Sequence, residues 1–529
     1  MSRHFNTAGP NNPADHYTLP VLERLPQIGP MFAAKSWFVL HAPRQSGKTT
    51  LLRTLARELT ESGKYAALHA SCETGSPYPD DPAAASRAIV GDMVMNATIH
   101  LPPQLRPPPP DRAAGDERMI SGYLQVWAAT CPLPTVLLLD EIDSLQDATL
   151  LSVLRQLRSL YLNRPDNAPS SVALVGVRDV RDYKVKIEPS GRVGSDSPFN
   201  VTVKSLTLKA FTRAEIATLY GQHTAETGQA FTGQAIDLVH AYTQGQPWLV
   251  NALAWHVITE LAVTDTITDQ HVMRAKEEMI LSRTTHLQSL AKLLRDPRVR
   301  AVMGPILTGQ ELPLELPRED LDFCVDLGLV APDLKPIRVA NPIYREVLPR
   351  ELAYPLTVRI APTERKWSLA DGRLDMAGLL DAFVDFWRQH GEWMVVGQEW
   401  PEAAHQIVLM AWLHRVINGG GYIEREYGLG RGRLDLLVRW FTGVDATGLP
   451  TGEDRHALEL KVWRKGQADP TAAGLVQLDG YLDRLGLATG VLVVFDARPS
   501  GPKGKNWRKR GQLGERVTPG GRTVTVLGV

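Results

Sequence analysis

Short apolar runs alternate with amphipathic stretches between Ser36 and about Val180. The runs WFVLHA, YAALHAS, TVLLLDE and SVALVGV have the length and composition of buried β-strands. Because strands that alternate with helical stretches form parallel sheets covered by helices, this pattern predicts an α/β domain. The stretch LPPQLRPPPPDRAAGD follows the second run, and its prolines predict a surface excursion, since proline fits neither a helix interior nor a central strand.

The pattern changes further along the chain. Residues 206–285 read as helical, with Thr212 as an N-cap and with Gly245 and Pro247 as stop signals. Two amphipathic stretches and the string DLGLVAPDLKPIRVANPIYREVL then predict a winged-helix-like unit. A second α/β pattern begins near Asp371, where two amphipathic stretches precede the runs RLDLLVRWF, RHALELKVW and TGVLVVFDA. The predicted domains are an α/β core at 1–205, a helical lid at 206–285, the winged-helix-like unit at 286–360 and a separate α/β domain at 366–529.

Composition narrows the possible functions. The 529-residue chain carries 58 Lys and Arg residues against 58 Asp and Glu residues, so it does not coat nucleic acid through bulk charge, and any such contact must be local. Cys72, Cys131 and Cys324 lack the spacing of a zinc site or a disulfide framework. The N-terminus is polar, and no window approaches the roughly 18 apolar residues of a membrane helix. We therefore expect a cytoplasmic protein without membrane contact.

The segment HAPRQSGKTT at residues 41–50 lies between a predicted strand and a helical pattern. Backbone N–H groups in such a loop can cradle phosphates. Gly47 would allow close backbone approach, Lys48 would reach the β- and γ-phosphates, and Thr49 would offer its hydroxyl to magnesium. Alanine replaces the first glycine of the GxxxxGK[ST] pattern, which is a mild departure. The predicted ATP contacts of the loop are Ala42, Pro43, Arg44, Gln45, Ser46, Gly47, Lys48, Thr49 and Thr50.

The run TVLLLDE delivers two carboxylates at its C-terminal end, where ligands of open parallel sheets bind. Asp140 would hold magnesium through its water shell, and Glu141 would polarise the attacking water. Adjacent carboxylates after a strand are also common in solvated loops. Downstream of a phosphate-binding loop, however, they favour an ATPase site.

The fourth run ends in GVRDVRDY, which places Arg178 or Arg181 where a cation can read the γ-phosphate, with Arg178 favoured. The alternative is a surface ion pair between Arg181 and a neighbouring aspartate. Near the N-terminus, His16 and Tyr17 either pack on adenine or fasten the N-terminal segment to the core.

Several strings together resemble a family of bacterial and archaeal AAA-like ATPases related to the AAA+ and STAND classes. They are FNTAGP, HY, HAPRQSGKTT, DEID, GVRDVRDY, SPFN and GQPWLVNALA, and they cover roughly residues 1–350. In STAND-type ATPases an arginine after the fourth strand senses phosphate, and a G-x-P in the lid touches the nucleotide. The resemblance therefore implies these roles for Arg178 and for Gly245, Gln246 and Pro247, with ATP and magnesium as cofactors.

A second set of chemical groups lies in the C-terminal domain. GRGRLDLL places Asp435 at a strand start, and HALELKVW places Glu459 and Lys461 on one face of a later strand. With the carbonyl of Leu460, the two carboxylates offer hard oxygen ligands for magnesium, while the lysine can orient or help deprotonate the attacking water. This is chemistry for phosphodiester hydrolysis, although such a spacing also arises by chance in many chains.

This arrangement resembles the PD-(D/E)XK nuclease superfamily, whose domain AAA-like ATPases of this type often carry at the C-terminus. The resemblance implies a restriction-endonuclease-like fold with the three residues above as its core motif. It also implies Glu402 as a metal-binding acid on the preceding helix, and Gln477 with Tyr481 as the helix motif of RecB-like members. Leu434 replaces the proline of the motif, a departure that is common in the superfamily.

A basic cluster surrounds Trp507 before the final run RTVTVLGV. It can grip phosphates while the ring stacks on a base, or it can be a solvated basic loop. Its members are Lys503, Lys505, Arg508, Lys509 and Arg510.

Together these patterns predict an ATP-controlled nuclease. The P-loop module changes shape with nucleotide state, the lid and winged-helix-like unit transmit the change, and the C-terminal domain cuts nucleic acid, with DNA favoured and defence against foreign DNA as a role. The rival hypothesis is a nucleotide-dependent switch or loader that recruits a partner, in which the C-terminal domain only holds DNA. Assembly into a homo-oligomer is left open, since no interface can be identified from one chain.

Overall fold

The structure is a computed structural model, and it describes residues 3–110, 118–164, 167–178, 204–282, 290, 292–308, 312–331, 337–357, 360, 367–391, 394, 404–416, 421–429, 432–445, 450–498 and 512–529. Contacts between residues divide the chain into two compact units. The first unit contains Met1–Thr268 and Asp322–Val330, and the second contains Asp269–Leu321 and Ala331–Val529. These units do not follow the four domains predicted from the sequence, because the predicted lid (206–285) and the predicted winged-helix-like unit (286–360) are each divided between the two. The four-domain division stays a prediction.

The first unit is built on a parallel sheet in the order β2-β3-β4-β1-β5. Its strands are β1 (Trp37–His41), β2 (Ala66–Ser71), β3 (Thr135–Asp140), β4 (Ser171–Gly176) and β5 (Lys204–Thr207). The four strands predicted from apolar runs are confirmed. The prediction that residue 206 belongs to a helical segment is wrong, because Leu206 is the single buried residue of the short edge strand β5.

Helices cover both faces of this sheet. The helices before β5 are α1 (Val21–Arg24), α2 (Ile28–Ala33), α3 (Lys48–Glu61), α4 (Pro82–His100), α5 (Met119–Thr130) and α6 (Asp147–Leu162). After β5 come α7 (Arg213–Thr227), α8 (Gly233–Thr243) and α9 (Pro247–Trp255). Successive residues of β1 point to opposite faces, so that Trp37 and Val39 join the core formed with α4, α5 and α6. Phe38 and Leu40 join the core formed with α2 and α3.

Two local sequence signals decide how the helical part begins. Thr212 caps α7 in a capping box, in which its hydroxyl accepts from Glu215 N at 3.2 Å and its N–H donates to the Glu215 carboxylate at 2.7 Å. Gly245 adopts a φ of 75°, and a Cβ there would lie 1.8 Å from the Phe211 carbonyl oxygen. Only glycine allows this close approach.

The prediction that the proline-rich stretch is a surface excursion is wrong for the first residues of that stretch. Leu101 and Leu105 are buried, and the Trp127 indole donates to the Leu105 carbonyl at 2.9 Å. The prolines stop α4, but the leucines between them still carry apolar surface that joins the core.

The second unit contains six strands in the order β10-β11-β9-β8-β7-β6. They are β6 (Gly421–Leu429), β7 (Gly432–Val444), β8 (Pro450–Trp463), β9 (Val491–Asp496), β10 (Gln512–Val517) and β11 (Thr523–Gly528). Strands β6, β7 and β8 are antiparallel, whereas β9 pairs in parallel with both β8 and β11. The strands predicted from the three C-terminal apolar runs are confirmed.

The helices of the later part of the chain are α10 (Asp269–Leu281), α11 (Pro297–Thr308), α12 (Arg318–Asp326), α13 (Pro342–Thr357), α14 (Met376–Phe386), α15 (Ala404–Val416) and α16 (Thr471–Leu485). Helix α16 makes the crossover from β8 to β9 and buries Leu478 and Leu482 against the sheet residues Leu437 and Leu492. Ala331 N donates to the Arg338 carbonyl at 3.0 Å, the kind of pairing expected at the base of a wing. Among the described residues, none of the helices is long and apolar enough to cross a membrane.

Candidate functional site

The predicted phosphate-binding loop joins β1 to α3. Gln45 and Gly47 have φ values of 59° and 87°, and these left-handed turns bring successive N–H groups to one side of the loop. Helix α3 then begins at Lys48, and the N–H groups of its first turn have no partner within the helix. Ala42, which replaces a glycine, is buried and continues the sheet through its N–H to the Gly176 carbonyl. The loop can therefore bind phosphate oxygens through its backbone.

Lys48 is held inside this loop. Its ammonium group donates to the carbonyl oxygens of Ala42 at 2.7 Å and Pro43 at 2.9 Å. Burial lowers the pKa of Lys48 to about 8, although the nearby carboxylates of Asp143 and Asp140 raise it. A phosphate beside the ammonium would favour the charged form and raise the pKa again.

Asp140 ends β3 and is 1 % exposed. Its Oδ2 accepts from the Thr49 hydroxyl at 2.7 Å and lies 3.6 Å from His69 Nε2, which is too long for a hydrogen bond but close enough for attraction. Burial alone would raise the pKa of Asp140, but His69 and the hydrogen bond from Thr49 outweigh it, so that this pKa is below its ordinary value. The adjoining hydroxyl and carboxylate are the two oxygen ligands that the sequence predicted for magnesium.

Glu141 follows in a left-handed conformation with a φ of 55°, which is uncommon for a residue other than glycine. The Ser71 hydroxyl donates to Glu141 Oε2 at 2.6 Å. Burial raises the pKa of Glu141, the Ser71 hydrogen bond lowers it, and the negative charge of Glu73 raises it, with a net upward shift. Ser71 was not predicted as a site residue, although it ends the predicted strand YAALHAS beside Asp140.

A cavity of about 510 Å³ lies above the loop. It brings together the phosphate-binding loop, Asp140 and Glu141 at the end of β3, and Pro247 at the start of α9, as the sequence predicted. Its far wall comes from the N-terminal segment, including Asn6 and Asn11, and from Trp248. The Trp248 indole donates to the Thr7 carbonyl at 2.8 Å, which fixes this segment against α9.

The two alternatives for the N-terminal aromatic pair can be compared with this cavity. Tyr17 is fully buried, packs against Phe5 and His223, and borders the cavity. His16 stacks edge-on against His4 at 4.7 Å instead. The burial of Tyr17 against other aromatic rings favours the interpretation that it fastens the N-terminal segment to the core.

The carboxylates and lysine of the second unit lie on neighbouring strands. Asp435 on β7 accepts from Leu460 N at 2.8 Å, which holds its carboxylate beside β8. Lys461 donates to Glu459 Oε1 at 2.7 Å, and within the described part of the chain the other oxygen of Glu459 is buried without a hydrogen-bond partner. Burial and the charge of Asp435 raise the pKa of Glu459 to about 8, against the opposing effect of Lys461. The carboxyl groups of Asp435 and Glu459 therefore influence each other's charge, and the ammonium group of Lys461 is bound to one of them.

Helix α16 packs closely over this site. A Cβ on Gly474 would lie 2.6 Å from Leu492 Cδ1 and 3.4 Å from Lys461 Cγ, so any larger residue there would require the Leu492 side chain to shift. This residue was not predicted from the sequence. Tyr481 is buried in the core of the unit, whereas Gln477 is exposed, so the two members of the predicted helix motif lie in different environments.

The remaining predicted residues of this site are outside the described part of the chain. They are Glu402 and the basic cluster around Trp507. Within the described ranges, no group of three or more His, Cys, Asp or Glu side chains is arranged to hold a metal. Asp435 and Glu459 form a pair, and the unpartnered, buried oxygen of Glu459 beside a second carboxylate suits a divalent cation.

Residues 33–183 match the family model described as "AAA domain". This part of the chain is therefore similar to AAA domains, in keeping with its parallel sheet and phosphate-binding loop. Among solved structures, the chain is similar to the Walker-type ATPase paby2304 of Pyrococcus abyssi, with 12% identity over 65% of this chain and 99% of that chain and a TM-score of 0.46. It is also similar to the Thermotoga maritima RuvB Holliday junction branch migration motor (15% identity, 62% and 93% coverage, TM-score 0.33) and to Cdc6p from Pyrobaculum aerophilum (14%, 63% and 93%, 0.31). Curated proteins gave no match to the chain.

The AAA domain ends near Arg178, the residue predicted to read the γ-phosphate. Its Nε donates to Asp326 Oδ2 at 3.1 Å, and its guanidinium lies 5.0 Å from the centre of the Phe323 ring. The preceding residue, Val177, lines the cavity. The alternative Arg181 is outside the described residues, and the phosphate-sensing role of Arg178 stays a prediction.

Proposed function

We propose that the AAA domain binds ATP and hydrolyses it. The observation that carries this proposal is the joint position of Lys48, Thr49 and Asp140 around one loop at the floor of the cavity. Lys48 would neutralise the β- and γ-phosphates, while Thr49 and Asp140 would hold magnesium. A bound magnesium ion supplies positive charge where negative charge develops during phosphoryl transfer.

Glu141 would orient the attacking water and accept its proton. A general base works best when its pKa lies near the working pH, and the raised pKa of Glu141 moves it in that direction. The hydrogen bond from Ser71 fixes the carboxylate in one orientation, which supports a positioned base rather than a solvated surface acid.

The test uses two variants of the full chain. Lys48→Ala should abolish ATP binding, measured by calorimetric titration, because the phosphates lose their main cation. Glu141→Gln should still bind ATP but release phosphate at least about a hundredfold more slowly, as expected for a lost general base. Lys64→Ala, at an exposed lysine just after α3, is the matched control and should behave as wild type. Wild-type turnover by Lys48→Ala would contradict the site assignment.

For the second unit we propose metal-dependent cleavage of nucleic acid, controlled by the nucleotide state of the AAA domain. The supporting observation is the group formed by Asp435, Glu459 and Lys461 on two neighbouring strands. The carboxylates would hold magnesium, and the ammonium of Lys461 would place the attacking water beside a phosphodiester. The raised pKa of Glu459 supports this role, because a buried carboxyl beside another carboxylate is stabilised by a cation.

This second proposal predicts different effects for the acids and the lysine. Asp435→Ala, Glu459→Ala and Lys461→Ala should each abolish cleavage, but magnesium affinity should fall only in the first two. Exposed residues of the same unit, Glu515 and Lys465, supply matched controls as Glu515→Ala and Lys465→Ala. Normal cleavage by the three site variants would refute the nuclease.

The substrate class follows from one set of incubations. Single-stranded DNA, duplex DNA and RNA should be offered to the purified chain with magnesium, with and without ATP. We expect cleavage of DNA, in keeping with a role in defence against foreign DNA. Retention of DNA without cleavage under all conditions would instead favour the rival function, a nucleotide-dependent switch or loader whose C-terminal domain only holds DNA.

A further inference from the structure

The cation predicted to sense the γ-phosphate is held by an acid from far along the chain. Arg178 and Asp326 form an ion pair at 3.1 Å, and their side chains are only 17 % and 18 % exposed. Phe323, one turn earlier on α12, lies beneath the guanidinium at 5.0 Å from the ring centre. The pair is thus partly shielded from water, and such shielding makes an ion pair stronger than it would be at an open surface.

The same piece of chain also contacts the phosphate-binding loop. Gly328 has a φ of 74°, and a Cβ at this position would lie 2.7 Å from Pro43 Cβ. Leu329 N returns to the Cys324 carbonyl at 3.0 Å and closes the end of α12, and both residues are fully buried. The segment Asp322–Val330, called here the latch segment, therefore packs on the loop as well as on Arg178.

The latch segment and the chain on either side of it belong to different compact units. By its contacts it belongs to the first unit, whereas the chain on both sides of it, up to Leu321 and from Ala331 onward, belongs to the second. The latch segment is therefore joined at both ends to chain that belongs to the second unit. The segment is a covalent route along which the nucleotide state can act.

We propose that Asp326 and the γ-phosphate of ATP compete for Arg178, so that the latch segment is an inhibitory contact that ATP releases and ADP does not. This inference rests on the proposed ATPase function. A guanidinium presents its donors in one fixed fork, and the same fork that binds a carboxylate suits a phosphate. Val177 lines the cavity in which ATP is proposed to bind, so Arg178 directly follows a residue of the cavity wall in the chain.

The competition makes the segment selective between nucleotides. ATP and ADP both meet Lys48 and the loop, but only ATP carries the additional phosphate that Arg178 would bind. A ligand shifts an equilibrium between two states only by its difference in affinity for them. ATP therefore favours the released state, and ADP leaves the ion pair in place.

Asp326→Asn keeps the size of the side chain and removes its charge, which makes it the central test. We expect ATP to bind this variant about fivefold to tenfold more tightly than wild type, at the lower end of typical coupling between sites, with ADP affinity unchanged. Arg178→Gln should bind ATP and ADP with similar affinity, and adding Asp326→Asn to it should change nothing further. Asp320→Asn, on the same helix but outside the latch segment, is the matched control.

A direct readout is amide hydrogen exchange of residues 322–330 in the full chain. A non-hydrolysable ATP analogue should increase exchange there, whereas ADP should not, and Asp326→Asn should show the increase without nucleotide. The charge reversal Arg178→Asp with Asp326→Arg should restore slow exchange that no longer responds to the analogue. This double variant separates the ion pair from phosphate binding if a single variant folds poorly.

Three results would overturn the latch. Unchanged ATP and ADP affinities in Asp326→Asn would show that the pair does not compete with phosphate. An equal gain for both nucleotides would show that the segment only covers the pocket. Exchange that is insensitive to the analogue would show that the contact is permanent. Failure of the ATPase proposal itself is seen separately, as wild-type nucleotide binding by Lys48→Ala.

Discussion

Glu459 gives the second unit a pH dependence that can be measured without any nucleic acid. The side chain is 2 % exposed, and burial together with Asp435 raises its pKa from an ordinary value of 4.5 to about 8. The folded state thus binds this proton more tightly than the unfolded state does. The carboxyl therefore favours folding most below about pH 4.5, and this contribution is lost as the pH rises to about 8.

The same proton should make metal binding depend on pH, but in the opposite direction, so that metal affinity increases as the pH rises. A cation that binds the Glu459 carboxylate must displace its proton, so the apparent affinity should rise about tenfold for each pH unit below the pKa. Between pH 6 and pH 8 the gain should be about fiftyfold, because the carboxyl is half ionised at its pKa, and the affinity should level off at about a hundredfold gain by roughly pH 9. Titration calorimetry with magnesium and with manganese at pH 6, 7, 8 and 9 measures this dependence directly.

Glu459→Gln supplies the comparison. The amide cannot ionise, so this variant should bind metal weakly at every pH and should lose the decrease in melting temperature between pH 5 and pH 8. Glu515→Gln, on an exposed strand of the same unit, should retain both pH dependences. If wild type binds magnesium equally well at pH 6 and pH 8, or if the melting temperature of Glu459→Gln follows that of wild type, the reasoning is wrong.

Two further predictions concern the AAA-containing unit and its link to the second. Thr212→Ala removes the hydroxyl that accepts from Glu215 N and should lower the unfolding free energy by about 1 kcal/mol in a urea titration, whereas Thr218→Ala within α7 should have a smaller effect. If Thr212→Ala lowers the unfolding free energy no more than Thr218→Ala does, the capping box adds nothing to stability. Glu141→Gln, given ATP at matched free magnesium, should cleave nucleic acid faster than wild type because it stays longer in the ATP-bound state, and Lys48→Ala should cleave slowly with or without ATP. Equal cleavage rates in all three proteins would show that the sites are uncoupled.

The strands near the proposed ATP site could be predicted because each is a short, continuous apolar run. In β1 and β3, side chains are buried on both faces of the sheet, so almost every residue is apolar. Strand β5 has one buried residue in four and gives no such signal. The burial of Leu101 and Leu105 could not be predicted either, because the prolines around them leave no apolar run or helical periodicity.

The predicted site residues at strand ends follow from one rule of topology. In a parallel sheet the C-terminal ends of the strands lie at one edge, so Asp140, Glu141 and Arg178 could be assigned to the same region from sequence alone. The rule places the backbone of each residue at this edge of the sheet, but it does not identify the residues that its side chain contacts. Ser71 contacts Glu141 because β2 and β3 pair in a particular register, which the apolar pattern does not specify.

The partner of Arg178 shows this limit most clearly. Asp326 is 148 residues away, on an amphipathic helix where an acid is expected to face solvent, and the sequence pattern assigns it to a different domain. Nothing periodic connects the two positions. The charge that an arginine after a β-strand can offer to a phosphate depends on what already binds it, and that partner is set by tertiary packing. Local sequence therefore predicts the chemical groups of the proposed ATPase, while the long-range ion pair determines whether one of them is available to ATP.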